Sequence, residues 1–119
     1  MEIKTTKKLE NIIAELYGEI DQSCTGYAKD LLQEELMARG AKNLIINLRN
    51  VTFMDSSGIG MILGRYKHLK SSGGKLVLCG AGADTRRILT VSGISGIIPI
   101  KRNVDEALKY LKEEKSDEL

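Results

Sequence analysis

Tryptophan is absent from the 119-residue sequence, and four tyrosines with Phe53 are its whole aromatic complement. A single-strand nucleic-acid binder built on base stacking needs more aromatic faces than this, gathered on one surface. Histidine occurs once, as His68, and cysteine twice, as Cys24 and Cys79, without CxxC spacing. That excludes a recognisable zinc set, and the cysteine pair gives no sign of an oxidising compartment. Cys79 closes an apolar run and is expected as a buried free thiol. Charge bias is missing too: 18 basic against 16 acidic residues leave +2, too balanced to argue for nucleic acid. The lysines of Met1–Lys8 have no apolar stretch behind them, as a signal peptide requires, and no apolar run approaches membrane-spanning length. The chain is therefore expected to be cytoplasmic, with no membrane or nucleic-acid partner.

What is present suits one compact domain: 42% apolar and 29% charged residues in a chain of ordinary domain length. Ile3–Thr6 and Asn11–Tyr17 read as a hairpin around Lys7-Lys8-Leu9-Glu10. Gly18-Glu19-Ile20-Asp21 breaks that run, and Asp21 or Ser23 can cap a helix over Thr25–Arg39 with Ala28, Leu31, Leu32 and Leu36 on one face. Leu44–Leu48 and Lys75–Gly80 are short apolar runs typical of buried strands. Helices are expected over Ser57–Lys70 and Asp84–Val91, and a last short strand over Ile97–Ile100. Asn103 then caps the final helix, with Glu106 at capping-box spacing. Strand–helix alternation of this kind implies an α/β domain with a mostly parallel sheet of about five strands, one N-terminal antiparallel hairpin strand and about four helices. The domain is expected over residues 1–112. Residues 113–119, ending Ser116-Asp117-Glu118-Leu119, are expected as a charged, solvated tail.

In open α/β sheets the functional surface lies outside the carboxyl ends of the strands. Asp55-Ser56-Ser57-Gly58 falls there, after Leu48 and a connector, Asn50–Met54, that Phe53 is expected to anchor in the core. At 100° per residue, Ile59, Ile62, Leu63, Tyr66 and Leu69 lie within about 60° of the direction opposite Ser57 and are expected to face the core. Ser57, Gly60, Met61, Gly64 and His68 share the outward stripe. Gly60 and Gly64 weaken a helix by roughly 0.5–1 kcal/mol each relative to alanine, so a surface stripe that keeps them needs a reason. Glycines four apart leave a flat track, and Met61 beside them is an adaptable apolar contact. Either a partner docks on the track or another helix of the same domain covers it. Ser57 combines a hydroxyl, a helix start and one edge of that track. Phosphate there would meet backbone N–H groups and the helix dipole while adding roughly −1.5 to −2 charge. Ser56 or Ser57 serving only as an N-cap is the alternative.

Catalysis finds no support. A flavodoxin-like phosphotransfer receiver needs acidic residues ending an early strand to hold magnesium, and neither Ile3–Thr6 nor Asn11–Tyr17 supplies them. Ser57 has no base, since His68 lies about three helical turns away, and no GxxxxGK[ST] phosphate loop occurs. The chain is expected not to be an enzyme.

The run Phe53-Met54-Asp55-Ser56-Ser57-Gly58-Ile59-Gly60-Met61-Ile62-Leu63-Gly64-Arg65-Tyr66-Lys67 resembles the signature of the bacterial anti-sigma factor antagonists, which are STAS-domain proteins. Its Gly64-Arg65-Tyr66-Lys67 ending is most similar to the sporulation sigma-F branch. Weaker matches at Gly18-Glu19-Ile20-Asp21, Gly73-Gly74 and Ser92-Gly93 extend the resemblance along most of the chain. It implies a protein that binds an anti-sigma factor which is also a serine kinase, frees a sigma factor, and is released when the kinase phosphorylates Ser57. A dedicated serine phosphatase would restore it. Asp55, Ser56, Ser57 and Gly58 match the phosphorylation motif, Asp21 an acidic loop position facing the kinase, and Gly60, Met61 and Gly64 the border of the contact surface. The resemblance implies no cofactor for this chain, because ATP and magnesium belong to the kinase. A general-stress antagonist with a different kinase is the second reading.

Overall fold

A computed structural model describes residues 1–117. The order is β1 (Glu2–Lys8), β2 (Asn11–Ile20), α1 (Thr25–Ala38), β3 (Asn43–Met54), α2 (Ser56–Ser71), β4 (Leu76–Cys79), α3 (Ala83–Val91), β5 (Ile100–Lys101) and α4 (Val104–Asp117). The five strands lie in the sheet in chain order, with β1 antiparallel to β2 and all other neighbours parallel. This is the expected α/β architecture.

Alternation along the strands splits the core in two. Ile12, Ala14 and Leu16 of β2, Leu44, Ile46 and Leu48 of β3, and Leu76 and Leu78 of β4 face one side, where Ala28, Leu32 and Leu36 of α1 and Ile62 and Leu69 of α2 pack on them. Ile45, Val77 and Cys79 face the other side and are covered by Ala107 and Leu111 of α4. Each fully buried aliphatic side chain contributes about 1.5–3 kcal/mol. Buried asparagines tie the strand starts together: Asn43 Nδ2 donates to Asn11 Oδ1 at 3.0 Å, and its Oδ1 accepts from the Lys75 backbone N–H at 2.9 Å.

Several boundaries differ from expectation. Gly18-Glu19-Ile20 does not end β2; Gly18, at φ +93°, absorbs a register shift and the strand runs on to Ile20. The added length of β2 pairs with residues 51–54, so the expected connector is the second half of β3. There Phe53 is 50% exposed and Met54 only 6%, which corrects Phe53 as the core anchor. The bulge puts Phe53 opposite Glu19 and Met54 opposite the buried Ile20. Cys24, not Asp21 or Ser23, is the N-cap of α1. Pro99 has no N–H to give a ladder, and the segment before it forms a 3-10 turn at Ile94–Gly96, leaving β5 two residues. Asn103 caps α4 as expected, its Oδ1 accepting from the Glu106 N–H at 2.9 Å. Helix α4 continues to Asp117, through part of the segment expected as a tail, with Glu114 paired to Lys75 and Lys115 to Glu10. Glu118 and Leu119 of that segment lie outside the described residues.

Candidate functional site

Parallel pairing of β2 and β3 sets Ile20 beside Met54, and the Asp55 N–H donates to the Ile20 carbonyl at 3.3 Å. Asp21 and Asp55 therefore leave the sheet as neighbours. Asp55 is extended, at φ −108° and ψ −171°, and caps α2. Its Oδ1 accepts from the Ser57 N–H at 2.9 Å, the Gly58 N–H at 3.3 Å and the Ser57 hydroxyl at 2.5 Å. The Ser57 hydroxyl is the largest cause holding the Asp55 carboxyl below its ordinary range. Asp21 is built alike: its Oδ1 accepts from the Ser23 N–H at 3.0 Å and the Ser23 hydroxyl at 2.5 Å, and Ser23 lowers its carboxyl in turn. The charge of Asp55 works against that lowering, as expected of adjacent anions.

The two serines are thereby distinguished. Neither caps the helix. Ser56 is exposed, and its side chain makes no hydrogen bond among the described residues, whereas Ser57 is half-buried with its hydroxyl proton committed to Asp55. A serine held this way turns its oxygen lone pairs away from the carboxylate. The same geometry alters the expected fate of a phosphate. The N–H groups of Ser57 and Gly58, which were to hold it, already serve Asp55.

Helix α2 also sits differently from its angular reading. Gly58, Met61, Ile62, Arg65 and Leu69 are its buried residues, while Ile59, Leu63 and Tyr66 are only half-buried against the core. Met61, expected on the outward stripe, is 7% exposed. The helix faces α1 as well as the sheet, so its buried band is wider than one apolar stripe and turned toward α1. Gly58 makes the close start possible: a Cβ there would stand 2.7 Å from Met54 Cγ and 3.0 Å from Ile20 Cγ2. Cβ atoms at Gly60 and Gly64 would meet nothing within 4 Å. Internal packing does not require these two glycines.

They line an open groove of about 290 Å³ between α1 and α2, with Ser57 and Met61 on their own helix and Gly26 and Lys29 across it. The α1 wall escaped the sequence reading, although Gly26, another glycine within a helix, carried the same signal as Gly60 and Gly64. Arg65 was missed because nothing in its spacing marks it. It is buried, donates to Gln33 Oε1 at 3.3 Å, and leaves its Nε without a partner. Burial is the main cause lowering its pKa, with Asp30 opposing. Exposed His68 stands about 16 Å of helix rise from Ser57. Among the described residues no group of three His, Cys, Asp or Glu could hold a metal, and no helix is long and apolar enough to cross a membrane.

A serine at a helix start, hydrogen-bonded to Asp55 with Asp21 close by, thus opens onto the groove between α1 and α2. The chain belongs to the STAS domain family, whose model matches residues 2–107, and within it to the anti-sigma factor antagonists. It is 36% identical over 101 residues to an anti-sigma F factor antagonist of Paenibacillus polymyxa, covering 85% of this chain and 86% of that one. It is 35% identical over 97 residues to an anti-sigma-B factor antagonist of Bacillus subtilis, covering 79% and 85%. The unphosphorylated anti-sigma factor antagonist SpoIIAA shares the fold at a TM-score of 0.80 and 21% identity, over 94% of this chain and 97% of that one. The phosphorylated Bacillus SpoIIAA does so at 0.72 and 22% identity, over 92% and 99%.

Proposed function

We propose that this antagonist, unphosphorylated at Ser57, docks an anti-sigma factor that is also a serine kinase, and so releases a sigma factor. The kinase then transfers phosphate to Ser57 and lets go; a serine phosphatase reverses the step. The chain itself catalyses nothing and acts in the cytoplasm. The observation that carries this reading is the Ser57 hydroxyl, held by Asp55 at the mouth of the open Gly60–Gly64 groove. Docking engages Asp21, Asp55, Ser56, Ser57 and Gly58 at the strand ends, and Gly60, Met61 and Gly64 along the groove. With the local N–H donors already bound to Asp55, a phosphate at Ser57 adds its charge outward, beside two carboxylates. A surface that accepted the partner then repels it.

The sigma-F branch is the assignment we adopt, on the Gly64-Arg65-Tyr66-Lys67 ending and the greater span of the Paenibacillus match. The nearly equal identity to the sigma-B antagonist favours a general-stress kinase as the second reading. Incubation with each kind of anti-sigma kinase and ATP, followed by mass spectrometry, tests both. Phosphate is expected on Ser57, from the sigma-F kinase, with none incorporated by Ser57→Ala. Ser57→Asp is expected to abolish kinase capture while keeping the wild-type circular dichroism. Phosphate on Ser56, or undiminished capture by Ser57→Asp, overturns the switch.

A further inference from the structure

At the opposite end of the sheet a second groove, of about 560 Å³, runs between the β1–β2 turn and α4. Leu9, Leu108 and Leu111 supply its apolar surface. Leu9 is the most exposed large apolar residue described, at 82%, and is the one non-glycine residue described with positive φ, +58°. A leucine in the left-handed region carries a steric penalty that glycine or asparagine would avoid. Neither of those would offer apolar surface, and strain kept at an exposed position points to use.

The rim is basic. Lys8, Lys109, Lys112 and Lys115 line the groove, and the one acid among its described lining residues, Glu10, is paired to Lys115 at 3.3 Å. Lys8 and Lys109 make no ion pair among the described residues and add two positive charges to this rim. These charges border an apolar floor of Leu9, Leu108 and Leu111. We propose that this groove docks an acidic amphipathic helix of a partner protein, apolar residues one turn apart resting on Leu9 and Leu108 and flanking carboxylates meeting the lysines. The groove's volume accommodates a few side chains. Its concave form, with a glutamate in the lining, suits a helix better than a lipid surface. The ten residues of β2 set it roughly 30 Å from Asp21. Both ends can therefore be occupied at once, and the inference does not rest on Ser57.

The test is an NMR titration of the full chain with a synthetic helix carrying leucines at i, i+3, i+4 and i+7 and glutamates between. Shifts are expected at Leu9, Leu108 and Lys109, with affinity falling as salt rises. Lys109→Glu is expected to weaken binding roughly tenfold. Leu9→Gly should weaken it similarly while melting no lower than the parent, so that lost binding cannot be lost folding. Ser57→Asp should bind as the parent does. The proposal is overturned by shifts in the α1–α2 groove instead, by no shifts at millimolar peptide, or by equal binding of a leucine–lysine helix. Tighter binding to anionic phospholipid vesicles overturns it in favour of a membrane surface. Concentration-dependent self-association through the same residues overturns it in favour of a second copy.

Discussion

Asp55 does two jobs with one oxygen, capping α2 through two backbone N–H groups and orienting the Ser57 hydroxyl. Because that hydroxyl is the chief cause of the lowered Asp55 carboxyl, Ser57→Ala should move its titration upward toward the ordinary carboxylate range, read by carbon NMR of the carboxyl. A carboxylate lowered in the folded state stabilises above its unfolded pKa and loses that contribution as pH falls through the folded value. Asp21 and Asp55 share this sign, so acid should first loosen the site end of the molecule, seen as faster amide exchange at Ser57 and Gly58 below about pH 4. The two thiols should also separate. Burial pushes the Cys79 thiol up to about 11, and its side chain is fully covered, whereas Cys24 is half-exposed. A disulfide reagent at neutral pH is expected to modify Cys24 in the native protein and Cys79 only after unfolding.

At the scale of the element, α2 contains glycines of opposite meaning. Gly58 lies where a methyl would press on Met54 and Ile20. Gly58→Ala is therefore expected to destabilise by about 1–3 kcal/mol through overpacking. Gly64 has open space where its side chain would be, so Gly64→Ala should stabilise the helix by roughly 0.5–1 kcal/mol. That same methyl narrows the groove and is expected to weaken capture of the anti-sigma kinase. Urea unfolding of both variants, beside a kinase pull-down, separates the two roles. A Gly64→Ala protein that loses stability would make the groove an internal contact.

The whole molecule is a sheet covered on one face by α1, α2 and α3 and on the other by α4, whose contact rests on a small cluster about Ile45, Val77, Cys79, Ala107 and Leu111. Truncating Leu111 removes a large part of that cover. Leu111→Ala is expected to cost about 2–5 kcal/mol, measured by denaturant unfolding followed by circular dichroism. A loss below about 0.5 kcal/mol, the scale of a surface change, would mean that α4 is not part of the cooperative core. This division also sets the two grooves apart: the Ser57 groove belongs to the α1–α2 layer, and the lysine-rimmed groove to the α4 layer.

Local chemistry determined much of this protein. The apolar run Leu44–Leu48 read as a buried strand and is one, Asn103 set the start of α4 through its own side chain, and Asp55-Ser56-Ser57-Gly58 marked a helix start at a strand end. Each depends on residues within a turn or two of one another, where periodicity and capping act. The remainder depended on partners distant in the chain. Phe53 and Met54 exchanged exposure because Gly18 bulges in the neighbouring strand, and Met61 and Arg65 became buried because α1 lies alongside α2. The Ser57 groove has one wall from each of those helices, so the sequence near Ser57 held only half of it. An angular projection knows the phase of one helix but not which neighbours press on it; that is settled only when the sheet brings the two helices together.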